Sequence, residues 1–368
     1  MNRNNDLMYQ ANLCLLNINS AAALLTLWGI LAIFRTQALN GLQQHYLTRQ
    51  IVWAAAAWGI FLLMRKISMY TLFRLALPAA AVGLLTMGLL PVCGLRINGM
   101  RGWYELGFFT LQPSELFKAF YVLVLVFILH MRRLPSYWKL PLALSITGAF
   151  ALLLLLQPDF GTMIICMTGG FGALYFGAAR TRTLLLLTVA AIIFAVIAVQ
   201  LHPYMSNRIM HFLHPELDPS GGSWHLRQFS IAIARGEFSG VKGAMAVWSN
   251  SFLPLAHNDS IFAALCEIQG FWGGVLLLGL YFWLFFSIFQ LGKYAVSPLR
   301  RNLINSLLVI LAAQTFMHIL VNVGLLPPTG VTLPLISYGG SSLLGIMLLL
   351  AIINIAGRPA EGHPAIKY

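Results

Sequence analysis

Ten apolar runs, most of them near twenty residues long, constrain this chain more than any other feature. About 20 apolar residues cross a bilayer as a helix. The runs lie at roughly 13–34, 50–64, 70–90, 113–131, 139–157, 160–178, 183–201, 259–290, 302–325 and 333–356. The second is short, and its start extends back through Tyr46 if a polar first turn is admitted. The eighth is long enough to tilt or bend, and the pair Gly273–Gly274 marks a place for it. Composition agrees: 59% of residues are hydrophobic and 9% charged, against about 25% charged in soluble domains. The expected fold class is an all-α polytopic membrane protein, one transmembrane domain over 1–368. A long outer loop, 202–258, joins the seventh and eighth helices. No small-residue cleavage site follows Leu13 to Phe34, so that segment is expected to remain as the first span.

The net charge of +13 raises nucleic acid as a partner, but the basic residues sit in small clusters at the ends of apolar runs. That is how topology signals are placed, and nucleic acid is not expected. One set of short loops holds Arg65, Lys66 and Arg74, then Arg132, Arg133 and Lys139, then Arg180 and Arg182, then Lys293, Arg300 and Arg301. The termini add Arg3, Arg358 and Lys367. The opposite short loops hold only Arg35, Arg49, Arg96 and Arg101. The first face, and with it both termini, is therefore expected to be cytoplasmic. The cysteines, Cys14, Cys93, Cys166 and Cys266, are scattered and suggest neither a disulfide framework nor a metal pattern.

The chain has ten acidic residues. Asp6 and Glu361 are terminal. The others, Glu105, Glu115, Asp159, Glu216, Asp218, Glu237, Asp259 and Glu267, all fall in an outer loop or near the outer end of a helix. Acids contribute little to orientation, so the basic-loop rule did not force this. Ionisable groups at membrane depth are costly and face a cavity or a partner. A polar cavity opening outward is expected.

Five stretches carry a resemblance: "NGMRGWYELGFFTLQPSELFKA" (98–119), "QPDFGT" (157–162), "ARGEFSGVKG" (234–243), "LPLAHNDSIFAALCEIQGFWG" (253–273) and "NVGLLPPTGVTLPLISYGGSSLL" (322–344). In these motifs, and in their order, the chain resembles the SEDS family (shape, elongation, division and sporulation). It departs from the pattern at Leu255 and Ser260, where the family carries Glu and Phe, and at Gly102, where it carries Arg. The resemblance implies a peptidoglycan glycosyltransferase. Such an enzyme polymerises lipid II at the outer face of the bacterial cytoplasmic membrane, alongside a class B penicillin-binding protein that supplies the transpeptidase. Two other readings compete: a flippase for a lipid-linked precursor, and a catalytically weak scaffold for that partner.

Joining lipid-linked sugars needs a base for the acceptor hydroxyl and cations for the departing pyrophosphate. The resemblance places the base at Asp259; the bland reading is an N-cap of the eighth helix. His257 either holds the base, or touches pyrophosphate, or is a hydrogen-bonded structural residue. Glu267, eight residues beyond Asp259 and so on the same helix side, either shares a divalent cation (Mg or Mn) with it or is a buried hydrogen-bonding acid. Glu115 and Lys118 are neighbours on one helix face, read as a structural pair or as a cation facing the cavity. Asp159 reads mainly as a cap. Arg101 and Arg96, beside Trp103 and Tyr104, read as phosphate or interface contacts. Ser337 to Ser342 read mainly as packing. Residues 224–235 suit either an interfacial helix anchored by Trp224, Phe229 and Ile233, with Arg227 and Arg235 meeting phosphates, or a solvated loop helix.

Overall fold

The structure is a computed structural model that describes residues 3–37, 44–97, 100–107, 109–177, 179–201, 203–216, 224–241, 248–253 and 255–359. Lys242, Asp218, Glu361 and Lys367 lie outside them. Helices occur where each apolar run predicts one. They are α1 (Arg3–Gln37), α2 (Gln44–Met64), α3 (Met69–Cys93), α4 (Pro113–His130), α5 (Ser136–Leu156), α6 (Phe160–Phe176) and α7 (Thr181–Leu201), followed after the long loop by α10 (Ile261–Lys293), α11 (Pro298–Asn322) and α12 (Gly340–Gly357). Eight of these are long and apolar enough to cross a membrane, and Phe160–Phe176 and Thr181–Ile197 are shorter apolar helices. The long loop carries two more helices, α8 (Pro203–Leu213) and α9 (Trp224–Gly236), and a short π-helical turn, Trp248–Phe252.

Local chemistry sets the ends. Ser68 accepts from the Thr71 amide to start α3. Ser297 does the same for the Arg300 amide of α11, with Pro298 in the first turn, where its missing N–H costs nothing. α4, α11 and α12 form the buried centre. α2 packs on α12, α6 on α11, α3 on α4, and α1 on α10. α7 turns Leu186, Ile192 and Val196 outward, as a helix solvated by lipid does.

Three local features depart from expectation. First, the loop after α3 adds a three-stranded antiparallel sheet to the helical bundle: β1 (Leu95–Ile97), β2 (Met100–Glu105) and β3 (Thr110–Leu111), in order β1-β2-β3. Strands this short leave no readable alternation. Second, α12 starts at Gly340 rather than 333. Leu335 sits in the left-handed region (φ 67°), Pro334 has no N–H to give a helix, and the Ser337 hydroxyl takes the Leu333 amide instead.

Third, α10 breaks at Gly270, not at Gly273–Gly274. Gly270 adopts φ 69°, ψ −167°, which frees backbone groups on both sides. The segment after α9 fills the gap: Val241 N donates to Glu267 O (2.9 Å), Phe271 N to Glu237 O (2.9 Å) and Trp272 N to Phe238 O (3.3 Å). Only glycine fits the crossing, because a Cβ on Gly270 would meet Gly240 N at 2.4 Å. Unsatisfied backbone at membrane depth costs several kcal/mol, so "GEFSG" and "EIQG" are two halves of one joint. The 33 residues of α10 would measure about 50 Å as one helix at 1.5 Å per residue, far beyond a hydrocarbon core of about 30 Å. The break separates a short outer piece, which begins just after Asp259, from the spanning piece.

Candidate active site

The site forms at the end of the bundle where α4, α6, α10 and α12 begin and α11 finishes. A cavity of about 390 Å³ opens there. One wall is α2, with Arg49 and Trp53; a second is the sheet and its turn, with Trp103, Glu105 and Phe109; a third is the 330–342 segment, with Thr332, Tyr338, Ser341 and Ser342. Ser341 Oγ accepts from the Gln112 amide (3.0 Å) and donates to Thr110 O (3.2 Å). Thr332 and Ser342 share a 2.6 Å hydroxyl bond. The serine-rich stretch thus packs and lines the cavity together. Its mix of hydroxyls, aromatic faces and one arginine suits a sugar bearing a phosphate.

Asp259 lies directly behind this wall, since its neighbour Asn258 is a wall residue and its Oδ2 comes within 3.7 Å of a Cβ built on the wall residue Gly330. A turn over 255–260 delivers it: Leu255 takes φ 48° and its carbonyl accepts from Asn258 N (2.8 Å). The capping role expected as the alternative for Asp259 is not what the structure has. Ser260 is the N-cap residue of α10 and makes no side-chain cap bond. Instead Asn322, from α11, accepts from the Ala263 amide (3.1 Å) and donates to the Asp259 carbonyl (3.0 Å). The Asp259 backbone is held while its carboxylate is not spent, and Oδ1 is buried without a hydrogen-bond partner. Burial pushes its pKa up to about 6, although the Arg208 guanidinium pulls the other way. A carboxylate so placed is ionised at neutral pH and sits near the value that makes an efficient proton acceptor.

The other residues singled out from sequence divide. His257 stacks on Tyr46 (centroids 4.3 Å) and meets Tyr338 edge-on (5.5 Å), while its carbonyl accepts from Tyr338 N (2.8 Å). Burial lowers its pKa to about 4, so the ring is neutral, packed against Tyr46 and Tyr338. Glu267 is fully buried. Its Oε1 accepts from Arg235 Nε (3.2 Å) and Trp248 N (3.3 Å), and its Oε2 from Ser249 N (2.6 Å) and the Ser249 hydroxyl. Both oxygens are committed to pinning the outer loop onto α10.

A divalent ion shared by Asp259 and Glu267 therefore does not fit: one of the two carboxylates has no oxygen to give. Among the described residues no three His, Cys, Asp or Glu side chains cluster to hold a metal.

Lys118 is fully buried and does not face the cavity; it donates to Glu115 (2.7 Å) and to Gln314 Oε1 (2.6 Å). Gln314 relays this pair to the wall by donating to the carbonyl and hydroxyl of Thr332 (3.2 Å each). Asp159 caps α6 through the Thr162 amide (3.0 Å) and accepts from Gln112 (3.0 Å). Arg101, on β2, donates to Pro91 O (2.6 Å) and faces Arg96 across the strand pair. Like charges directly opposed cost stability, and neither arginine is among the residues lining the cavity. Arg227 is exposed on α9. Phe229 is only 3% exposed and packs on Leu253, Ala256 and Ala264, so α9 is anchored by protein through that face rather than by lipid.

Arg49, Trp53, Glu105, Gln314 and Asn322 escaped the sequence reading. Arg49, whose side chain bonds Tyr338, was visible only as an outer-loop charge. Gln314 and Asn322 carried a legible signal: polar side chains one or two turns apart in an otherwise apolar helix.

The family model for the cell cycle proteins FtsW, RodA and SpoVE matches residues 14–360. A probable peptidoglycan glycosyltransferase FtsW from Alkalilimnicola ehrlichii is 33% identical over 92% of this chain and 88% of its own length. Another from Alcanivorax borkumensis is 35% identical over 77% and 75%. Among solved structures, a chain of a peptidoglycan synthase complex that coordinates polymerization and crosslinking superposes with TM-score 0.78 at 29% identity, covering 93% of this chain and 96% of that one. The rod shape determining protein RodA of Thermus thermophilus superposes with TM-score 0.69 at 26% identity, covering 93% and 95%.

Proposed function

This chain belongs to the FtsW, RodA and SpoVE family, and on that premise we propose that it polymerises lipid II as a peptidoglycan glycosyltransferase, with Asp259 as the general base. It is a membrane-embedded enzyme of the cell-wall class. The observation that carries the catalytic assignment is the unspent carboxylate. Ser260 occupies the cap position, Asn322 supplies the cap bond, and Asp259 is left with a buried, unpartnered oxygen beside the cavity. A buried polar atom without a partner is costly, and such costs are kept where function uses the group.

In the first step the acceptor sugar is bound at the wall, with hydroxyls met by Thr332, Ser341 and Ser342 and ring faces met by Trp103 and Tyr338. Asp259 takes the proton of the attacking hydroxyl as the new glycosidic bond forms. The pyrophosphate-linked lipid departs from the donor's anomeric carbon, its charge met by Arg49 from the cavity wall. Oriented groups of this kind contribute through positioning as well as proton transfer.

The basic loops support an orientation with the opposite end of the bundle in the cytoplasm. The cavity then opens on the outer face of the bacterial inner membrane, and both termini lie inside. The relative in a synthase complex that couples polymerization to crosslinking supports a transpeptidase partner of the class B penicillin-binding type.

The test is purified protein in proteoliposomes with lipid II, read for glycan strands and for movement of lipid between leaflets. Strands without a requirement for translocation support the polymerase. Translocation with no polymer would establish a flippase, and neither activity with retained partner binding would establish a scaffold.

A further inference from the structure

α11 carries Gln314, His318 and Asn322, spaced four apart and hence on one face. All three side chains are at most 1% exposed. Polar groups in a spanning helix must find partners inside the protein, and these find theirs in the site. Gln314 holds Thr332, as described. Asn322 holds the Asp259 carbonyl. Between them, His318 Nδ1 lies 2.7 Å from Val331 O. A carbonyl only accepts, so Nδ1 carries a proton; Nε2 is buried with no partner. One helix face thus grips the base at one point and the segment Gly330 to Thr332, whose two ends line the cavity, at two. Gly330 is the residue that lies against Asp259 Oδ2.

We propose that His318 is a positioning residue for the transfer reaction: by donating to the Val331 carbonyl it fixes Gly330 against the Asp259 carboxylate and so sets the distance between base and bound sugar. It rests on the polymerase reading above. The effect belongs to the chemical step, because the aromatic wall is not bonded to His318 and the neighbouring Thr332 is held separately by Gln314 and Ser342. A misplacement of about 1 Å at a reacting group costs on the order of a hundredfold in rate.

The experiment is steady-state lipid II polymerisation by wild type, His318→Leu, His318→Asn and His318→Gln, each checked for unfolding temperature in the same detergent. Asparagine carries a donor where Nδ1 stands. Glutamine carries one where Nε2 stands, and leucine carries none. The expected result is kcat lowered about a hundredfold in His318→Leu with KM little changed, kcat restored to within a few fold by His318→Asn, and little rescue by His318→Gln. If leucine does not yield folded protein, the asparagine–glutamine contrast still decides. Equal kcat for asparagine and glutamine, or wild-type kcat for leucine, would overturn the role. A wild-type protein that makes no polymer would instead remove the polymerase reading itself, so the two failures are distinguishable.

Discussion

Asp259→Asn is expected to reduce glycan polymerisation by about 10²–10⁴-fold, the usual contribution of a positioned general base, while leaving the fold intact. The second half of that expectation follows from the geometry. The backbone of residue 259 is held by Asn322, and its side chain caps nothing. Asparagine keeps the shape and loses only the basic oxygen. Stability should not fall at neutral pH. The folded-state pKa of Asp259 lies near 6, above the ordinary 3.8, so ionising it costs stability as pH rises through that window, and a neutral side chain removes the cost. Unfolding temperature in detergent and strand synthesis from lipid II, measured on one preparation, check both halves. A variant that loses its fold along with its activity would return Asp259 to a structural role.

Lys118→Ala is expected to be the most damaging substitution for stability, by about 3–5 kcal/mol, because it strands a buried carboxylate. Glu115 is 6% exposed and Lys118 fully buried, so neither charge can turn to water. Lys118→Arg keeps a cation and several donors and should fall well short of that loss. The telling comparison is the double variant Glu115→Gln with Lys118→Met, which removes both charges at similar volume. Replacing a buried pair together is often near neutral, so the double variant should recover most of the stability lost by Lys118→Ala. Its activity should recover less, because Gln314 Oε1 loses the Lys118 ammonium (2.6 Å) and the grip on Thr332 loosens. Unfolding free energies from denaturant titration, with polymerisation rates alongside, read both. If Lys118→Ala folds as stably as wild type, the pair is not buried as described.

Much of this was legible in the sequence, and the residues show why. Apolar length located the helices, because lipid allows few other solutions. Charge placement located the end of the bundle where the site forms, since acids so few must gather where water or partners are. Backbone events were not legible. The break in α10 falls at Gly270 rather than Gly273 because a segment some thirty residues upstream packs into it, and no local pattern records that. The start of α12 was hidden in the same way: Leu333 to Ser337 read as continuous apolar helix until Pro334 and the left-handed Leu335 are seen together. Side-chain commitments were also invisible. Helical spacing put Glu267 on one side with Asp259, but Asp259 lies in the turn before α10, and spacing could not show that Arg235, Trp248 and Ser249 had already taken the Glu267 oxygens. The polar face of α11 was present in the sequence, but uncharged polar residues at helical spacing do not by themselves say which backbone groups they hold.

The most direct measurement of the central claim is the pH dependence of kcat for lipid II polymerisation by the intact protein in detergent. A base that must be ionised, with burial holding its pKa near 6, predicts a plateau at neutral pH and a fall of about tenfold per unit below about pH 6, with no such inflection in the residual activity of Asp259→Asn. A rate that stays level through that range, or an inflection that survives in Asp259→Asn, would contradict a catalytic carboxylate at position 259.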